Sequence, residues 1–146
     1  MKCWVSVVSK EHALIGIAGG FMQACHGKAA PLKRMKAGDW FMFYCPATTM
    51  SGGVKVQKFL GLGRVKNDDT YQFEMNPEFC PFRRDIEFIA GAESLESAPI
   101  STLKTLSIKS KLRFGFFELP GTDAAVILES MGLVSDALFN NSILQR

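Results

Sequence analysis

Gln23, Cys25, His26 and Lys28 lie together in one short segment that opens on Gly20-Phe21 and includes Gly27. A carboxamide donates and accepts hydrogen bonds, and an imidazole does both and also stacks on flat rings. Lys28, Lys33, Arg34 and Lys36 then follow before the next acid, Asp39. This mixture suits a pocket that grips a flat polar ligand beside a negatively charged backbone. It does not suit a plain core element.

Other chemistries fit less well. Cys25-His26 as nucleophile and base is disfavoured, because adjacent residues seldom point so as to share a proton and no third group orients the imidazole. Cys25 reads instead as a small buried hydrophobe. Cys3, Cys25, Cys45 and Cys80 form no Cys-x-x-Cys pair and only two histidines exist, so neither a zinc site nor any cofactor is implied. Asp68-Asp69 sits in Lys-Asn-Asp-Asp-Thr and reads as a solvated hairpin turn.

His26 is either a pocket residue or part of a plain loop. Gln23 either meets a base edge or faces water from a strand. Trp4, Trp40, Phe21, Tyr44 and Phe82 are core residues by type, yet one or two could form a stacking wall for a base. Tyr44 has the best claim, since it ends an apolar strand beside Pro46 with a hydroxyl to place. Arg84 is the odd member of an apolar face, either a snorkelling edge residue or a pocket cation. Lys33, Arg34 and Lys36 are either a solvated helix face or contacts to phosphate.

The elements that must position these groups follow from spacing. A chain of 146 residues, 47% hydrophobic and 21% charged, is one domain, with no disordered bulk and no apolar run long enough for a membrane span. The net charge of +3 permits an anionic partner without demanding one, and a second acid-free basic run holds Lys104, Lys109, Lys111 and Arg113. With no leader read ahead of the first strand, the chain is expected to be cytoplasmic with reduced thiols.

Cys3–Val8 alternates as a strand, and Ser9 caps a helix that Gly19 stops. Pro31 starts a short helix that Gly38 ends. Trp40–Tyr44 is a central strand broken at Pro46, and Val54–Lys66 is a long one. Gly61 and Gly63 share a face there, so a bend or close backbone approach is expected. Tyr71–Met75 and Phe82–Ala90 alternate, Pro99–Leu106 carries a short helix, and Phe114–Leu119 is the last strand. Thr122 caps a helix through Met131 with Ala124, Leu128 and Met131 on one stripe. The predicted class is α+β, a curved, barrel-like, mostly antiparallel sheet of about six strands flanked by short helices.

Several segments together resemble the small-protein branch of the EVE domain, the UPF0310 group. They are Trp4–Lys10, Gly20–Lys28, Pro31–Asp39, Gly61–Val65, Pro81–Asp85 and Leu112–Leu119, in that order. The resemblance spans about residues 2–130. It implies a fold similar to the PUA barrel and the YTH reader domain, and a non-enzymatic nucleic-acid-binding module whose pocket accepts a flipped, modified base. Carried over position by position, it points to Trp4, Val5 and Ser9, to Phe21, Gln23, Cys25, His26 and Lys28, to Tyr44 and Pro46, and to Arg83 and Arg84. Phe82 stands where a tryptophan is expected. Glu93–Lys111 and the variable tail 133–146 match poorly.

The expected partner is therefore DNA or RNA, and not a membrane. The base pocket would comprise Trp4, Val5, Ser9, Phe21, Gln23, Cys25, His26, Tyr44, Pro46, Phe82 and Arg84. Lys28, Lys33, Arg34, Lys36 and Arg83 would hold the backbone. The alternatives are a sensor of a nucleoside-like metabolite with no nucleic-acid partner, or an enzyme dependent on Cys25.

Overall fold

The computed structural model describes residues 1–89, 98–99 and 106–132. Its elements are β1 (Cys3–Val7), α1 (Lys10–Gly19), β2 (Phe21–Met22), α2 (Ala29–Leu32), β3 (Trp40–Ala47), β4 (Lys55–Gln72), β5 (Phe82–Phe88), β6 (Ala98–Pro99), α3 (Leu106–Lys111), β7 (Phe116–Leu119) and α4 (Gly121–Ser130). The sheet runs β2-β5-β4-β3-β1-β7, with β6 pairing β4 off that path. The β1–β3 pair is parallel and the other pairs are antiparallel. The predicted class holds, but the curved sheet does not close into a barrel: among the described residues β2 and β7 remain its two ends.

Helices cover both faces, so the central strands read as nearly continuous apolar runs. Alternation along β1 and β3 divides their side chains between two cores. Cys3, Val5, Trp40, Met42 and Tyr44 pack with Phe59, Leu62 and the stripe Ala124, Ile127, Leu128 and Met131 of α4. Trp4, Phe41, Phe43 and Cys45 pack on the other side with Ala13 and Ile17 of α1 and with Leu32 and Met35.

Ser9 caps α1 as expected, its Oγ accepting from His12 N at 3.1 Å. The left-handed C-cap is Gly20, one residue past the predicted stop. Helix α2 is a single turn in which Pro31 is the third residue, not the first, and it ends at Leu32, short of Gly38. Pro46 does not break β3. The strand reaches Ala47 through a register shift between Cys45 and Ala47, a site where a residue without an N–H does no harm. Thr122 does not cap α4; the helix begins at Gly121 after Pro120.

The largest difference concerns β4. The predicted turn at Asn67–Asp69 is a bulge inside one continuous strand, with a register shift between Val65 and Thr70. The true turn is Asn76–Phe79, where Asn76 Oδ1 accepts from Glu78 N at 2.9 Å. Phe73 and Met75 lie past the end of β4, although Phe73 N still bonds Pro81 O and Met75 N bonds Phe79 O. The bend expected from the paired glycines is present. Gly61 has φ +75°, and a Cβ there would sit 2.9 Å from Ile17 Cδ1, at the shift between the Phe41 and Phe43 pairings. The expected helix over Pro99–Leu106 lies mostly outside the described residues, as does the tail 133–146.

Arg84 resolves its apparent misplacement on an apolar face. Only 1% exposed, it donates from Nη1 to Leu32 O (2.7 Å) and Met35 O (2.9 Å) and from Nη2 to Asn67 O (2.6 Å). These are carbonyls of the chain leaving α2 and of the β4 bulge, so one guanidinium ties both to β5. Asp68, at 3.9 Å and 74% exposed, adds little. Replacing Arg84 with Met removes all three donors at once. The expected loss is about 3 kcal/mol or more of stability, read as a lowered urea midpoint; an unchanged midpoint would refute this role.

Candidate nucleic-acid interface

The segment Ala24–Lys28 is held in an unusual backbone conformation. Cys25 (φ 49°), His26 (φ 61°) and Gly27 (φ 83°) are all left-handed, which costs the two non-glycine residues roughly 1–2 kcal/mol each. Gly27 is required: a Cβ would lie 2.6 Å from Pro81 Cβ. Pro81 thus presses the turn inward, and Gly27 N closes it on Ala24 O at 3.0 Å. Two buried contacts fix the approach to the turn. Ser6 Oγ donates to Gln23 O at 2.8 Å, and Arg83 Nε donates to Gln23 Oε1 at 2.7 Å.

This turn forms one wall of a cavity of about 360 Å³. Val7 and Val8 at the end of β1, His12, Gln23, His26, Gly115, Met50, Met75 and Phe79 also line it. A lobe of about 220 Å³ continues it past His12, Gln23, Met50 and Met75 to Ser9, Glu11, Phe21 and Ile15, so one acidic residue stands at the far end of the lobe. Met50 is 76% exposed and Met75 48%. The mouth is therefore rimmed by soft, adaptable side chains.

His12 faces this space with Nε2 buried and without a hydrogen-bond partner. Burial lowers its pKa below the ordinary 6.5, and the positive charge of Arg83 lowers it further. The cavity thus presents a neutral imidazole, a carboxamide and apolar walls. Tyr71, on the far side of Arg83, donates to Asp85; burial and that bond push its pKa up to about 12.

On the other side of Cys25 an open groove of about 700 Å³ runs past Lys28, Ala30, Pro31, Arg34, Lys111, Phe114, Phe116, Phe117 and Glu118, whose carboxylate is paired with Lys2 at 3.4 Å. Arg34 is laid over the rings of Trp4 (5.0 Å) and Phe116 (5.8 Å), which are themselves stacked 5.3 Å apart. The exposed guanidinium itself covers the stacked rings. Cys25 lines both spaces, so the enclosed cavity and the basic groove adjoin at one residue.

A family model for the EVE domain matches residues 2–130. The chain belongs to the EVE domain family. A UPF0310 protein of Streptococcus mutans is 42% identical over 137 residues, covering 91% of this chain and 98% of its own. The UPF0310 protein YdcG of Bacillus subtilis is 37% identical over 143 residues, covering 89% and 92%. Among solved structures, a hypothetical protein from Leishmania major superposes with a TM-score of 0.59 at 12% identity, covering 90% of this chain and 95% of that one. Human THYN1, solved in complex with 5-methylcytosine-containing DNA, gives 0.53 at 11% identity, covering 88% and 98%. At such identities the likeness is one of fold.

Within this EVE domain the predicted pocket residues separate. Ser9, Phe21, Gln23, Cys25 and His26 line the cavity or its lobe. Val5 and Tyr44 do not. Alternation turns them to the opposite face of the sheet, where Tyr44 packs 5.0 Å from Phe59 in the core under α4. Trp4 is buried in the core on the α1 side, its Nε1 donating to Asp39 Oδ2 at 2.9 Å. Phe82 packs against the core around Trp4, Pro46 is exposed at the β3 bulge, and Arg84 is spent on its three carbonyls.

Of the predicted backbone contacts, Lys28 and Arg34 line the groove, while Lys33 and Lys36 are exposed beside it. Arg83 is 7% exposed and clamped between Phe21 (3.7 Å) and Phe73 (4.0 Å), so it holds the pocket and not a phosphate. His12, Met50, Met75, Phe79 and Lys111 lie outside the predicted set. The second basic run pointed to Lys111. His12 carried one signal, its place in the first turn after the Ser9 cap, directly beyond β1. The other three reach the cavity only through hairpin geometry.

His12 gives a test by pH. As the pH falls through 6.5 the unfolded chain takes up a proton that folded His12 resists, so its contribution to stability is full above 6.5 and declines below it, until the folded group also titrates. NMR titration is expected to place the His12 midpoint below 6.5. In urea unfolding, His12→Gln should flatten the loss of stability between pH 6.5 and 5. A His12 midpoint above 6.5 would refute the assignment.

Proposed function

We propose that this EVE domain is a nucleic-acid reader that accommodates a flipped, modified base in the cavity beside Gly27 and grips the flanking backbone along the adjoining groove. One observation carries the reading: a neutral polar cavity and a strip of cations meet at Cys25. THYN1, which shares the fold, is described in complex with 5-methylcytosine-containing DNA, and that supports a nucleic-acid partner for this chain.

In this reading a base leaves its stack at a cost of a few kcal/mol. Val7, Val8, Met50, Met75 and Phe79 receive its faces, and His12, Gln23 and His26 meet its edge. Lys28, Arg34 and Lys111 hold phosphates, contacts that fix position without reading sequence. A methyl or hydroxymethyl group gains by filling apolar space near the methionines, about 1–3 kcal/mol for one such group. Selection between modified and unmodified bases is therefore modest, about ten- to hundredfold. In this reading the site binds and does not catalyse, and Cys25 Sγ is directed to Phe114 O at 3.6 Å.

The test is a titration panel of DNA and RNA oligonucleotides. Each carries cytosine, 5-methylcytosine, 5-hydroxymethylcytosine, adenine, N6-methyladenine or an abasic site at one central position. At least one modified base is expected to bind more tightly than its parent and than the abasic strand. Equal, wholly salt-screened binding across the panel would end the reading, and thermal shifts with free nucleosides alone would favour a metabolite sensor.

The groove predicts a separate outcome. Lys28→Gln, Arg34→Gln and Lys111→Gln should each weaken every oligonucleotide alike and reduce the salt dependence by about one ion per contact. A salt dependence unchanged in all three variants would place the backbone elsewhere.

A further inference from the structure

A guanidinium Nε carries a hydrogen and accepts nothing. The Gln23 atom 2.7 Å from Arg83 Nε is therefore the amide oxygen, and the orientation of the carboxamide is fixed. Arg83 is itself immobilised between Phe21 and Phe73. Gln23 cannot swing away either, since it is 3% exposed and its backbone oxygen is held by Ser6. With the acceptor end of the amide consumed, the NH2 group is what remains for the cavity. Among the described residues no acceptor takes it.

We propose that Gln23 is a one-way specificity residue: it presents only a donor, so the site selects a base whose inserted edge carries an acceptor there, a ring carbonyl oxygen or ring nitrogen. This rests on the base-reading function proposed above and narrows it to a class of edge. A base that turned an amino group toward Gln23 would leave two donors facing each other out of water. Such mismatches discriminate far more sharply than apolar fit does. His12, whose Nε2 is buried and without a hydrogen-bond partner, lines the same cavity and is a second polar group of the site. Arg83 acts through Gln23 and is a positioning residue.

Gln23→Glu tests this directly. The carboxylate has the shape of the carboxamide and keeps Arg83 as partner, but it replaces the free donor with an acceptor. Gln23→Met removes both functions and serves as a second variant should the first not fold. The same oligonucleotide panel is titrated against wild type and both variants. In each variant the tightest base is expected to lose about tenfold or more of its preference over the abasic strand, with abasic binding unchanged. In Gln23→Glu the order of bases should also shift toward those offering an amino edge. Wild-type base preference retained in both variants would overturn the inference. A wild-type protein that shows no preference for any base over the abasic strand would instead overturn the reading on which it rests.

Discussion

A buried polar group must find a partner, and at Gln23 that requirement organises the site. Its backbone carbonyl and its side-chain oxygen both lie out of water, and each is satisfied by a single buried donor, Ser6 Oγ from β1 and Arg83 Nε from β5. These strands lie on opposite sides of the segment, and β1 and β5 do not pair with each other in the sheet. The two bonds therefore fix the start of the left-handed turn from both directions. Losing either would leave a desolvated oxygen, a larger penalty than the bond's net gain. Pro81 against Gly27 completes the restraint from outside. The unfavourable torsions at Cys25 and His26 persist because their surroundings over-determine them.

Arg83 and Arg84 are neighbours in sequence with opposite surroundings. Strand β5 sends their side chains to different faces. Arg84 enters the core and ties the end of α2 to the β4 bulge, while Arg83 lies between two aromatic rings and holds Gln23. Asp39 does comparable work further along the chain that leaves α2. Its carboxylate accepts from Lys2 N, Lys36 N and Trp4 Nε1, which locks Trp4 in the stack on which Arg34 rests. The groove's cation is thus placed by buried bonds, although its charge remains in water.

The strands, their faces, the cap at Ser9 and the Gly61 bend were legible, because they depend on periodicity and local stereochemistry. Which face borders the candidate cavity was not. In β3 both faces are apolar because helices cover both, so nothing in Trp40–Tyr44 tells the cavity side from the α4 side, and Tyr44, expected at a pocket, packs on the α4 side. The turn at Asn67–Asp69 has good local turn chemistry, yet it loses to Asn76–Phe79. The longer strand allows β5 to pair along Val65 and Thr70–Gln72, and the bulge carbonyl of Asn67 meets Arg84. Local preference yields there to a tertiary bond. Met50, Met75 and Phe79 were illegible for a related reason: they come from two loops that converge only after the sheet has formed.

Charge and selectivity divide between the two adjoining spaces. A groove of exposed cations attracts any polyanion, and its pull falls with salt whatever the sequence. It cannot choose a base. The cavity behaves in the opposite way. His12 is kept neutral by burial and by the charge of Arg83, and that charge is in turn covered by two rings and by Gln23. A cavity holding an exposed cation would have trapped the nearest phosphate and left no room for an uncharged ring. In the proposed reading, neutrality is what lets shape and hydrogen-bond direction decide; burial supplies most of it, and the buried arginine that fixes which way Gln23 faces adds to it. One residue therefore reinforces the electrostatic character of the pocket and fixes its direction without lining it.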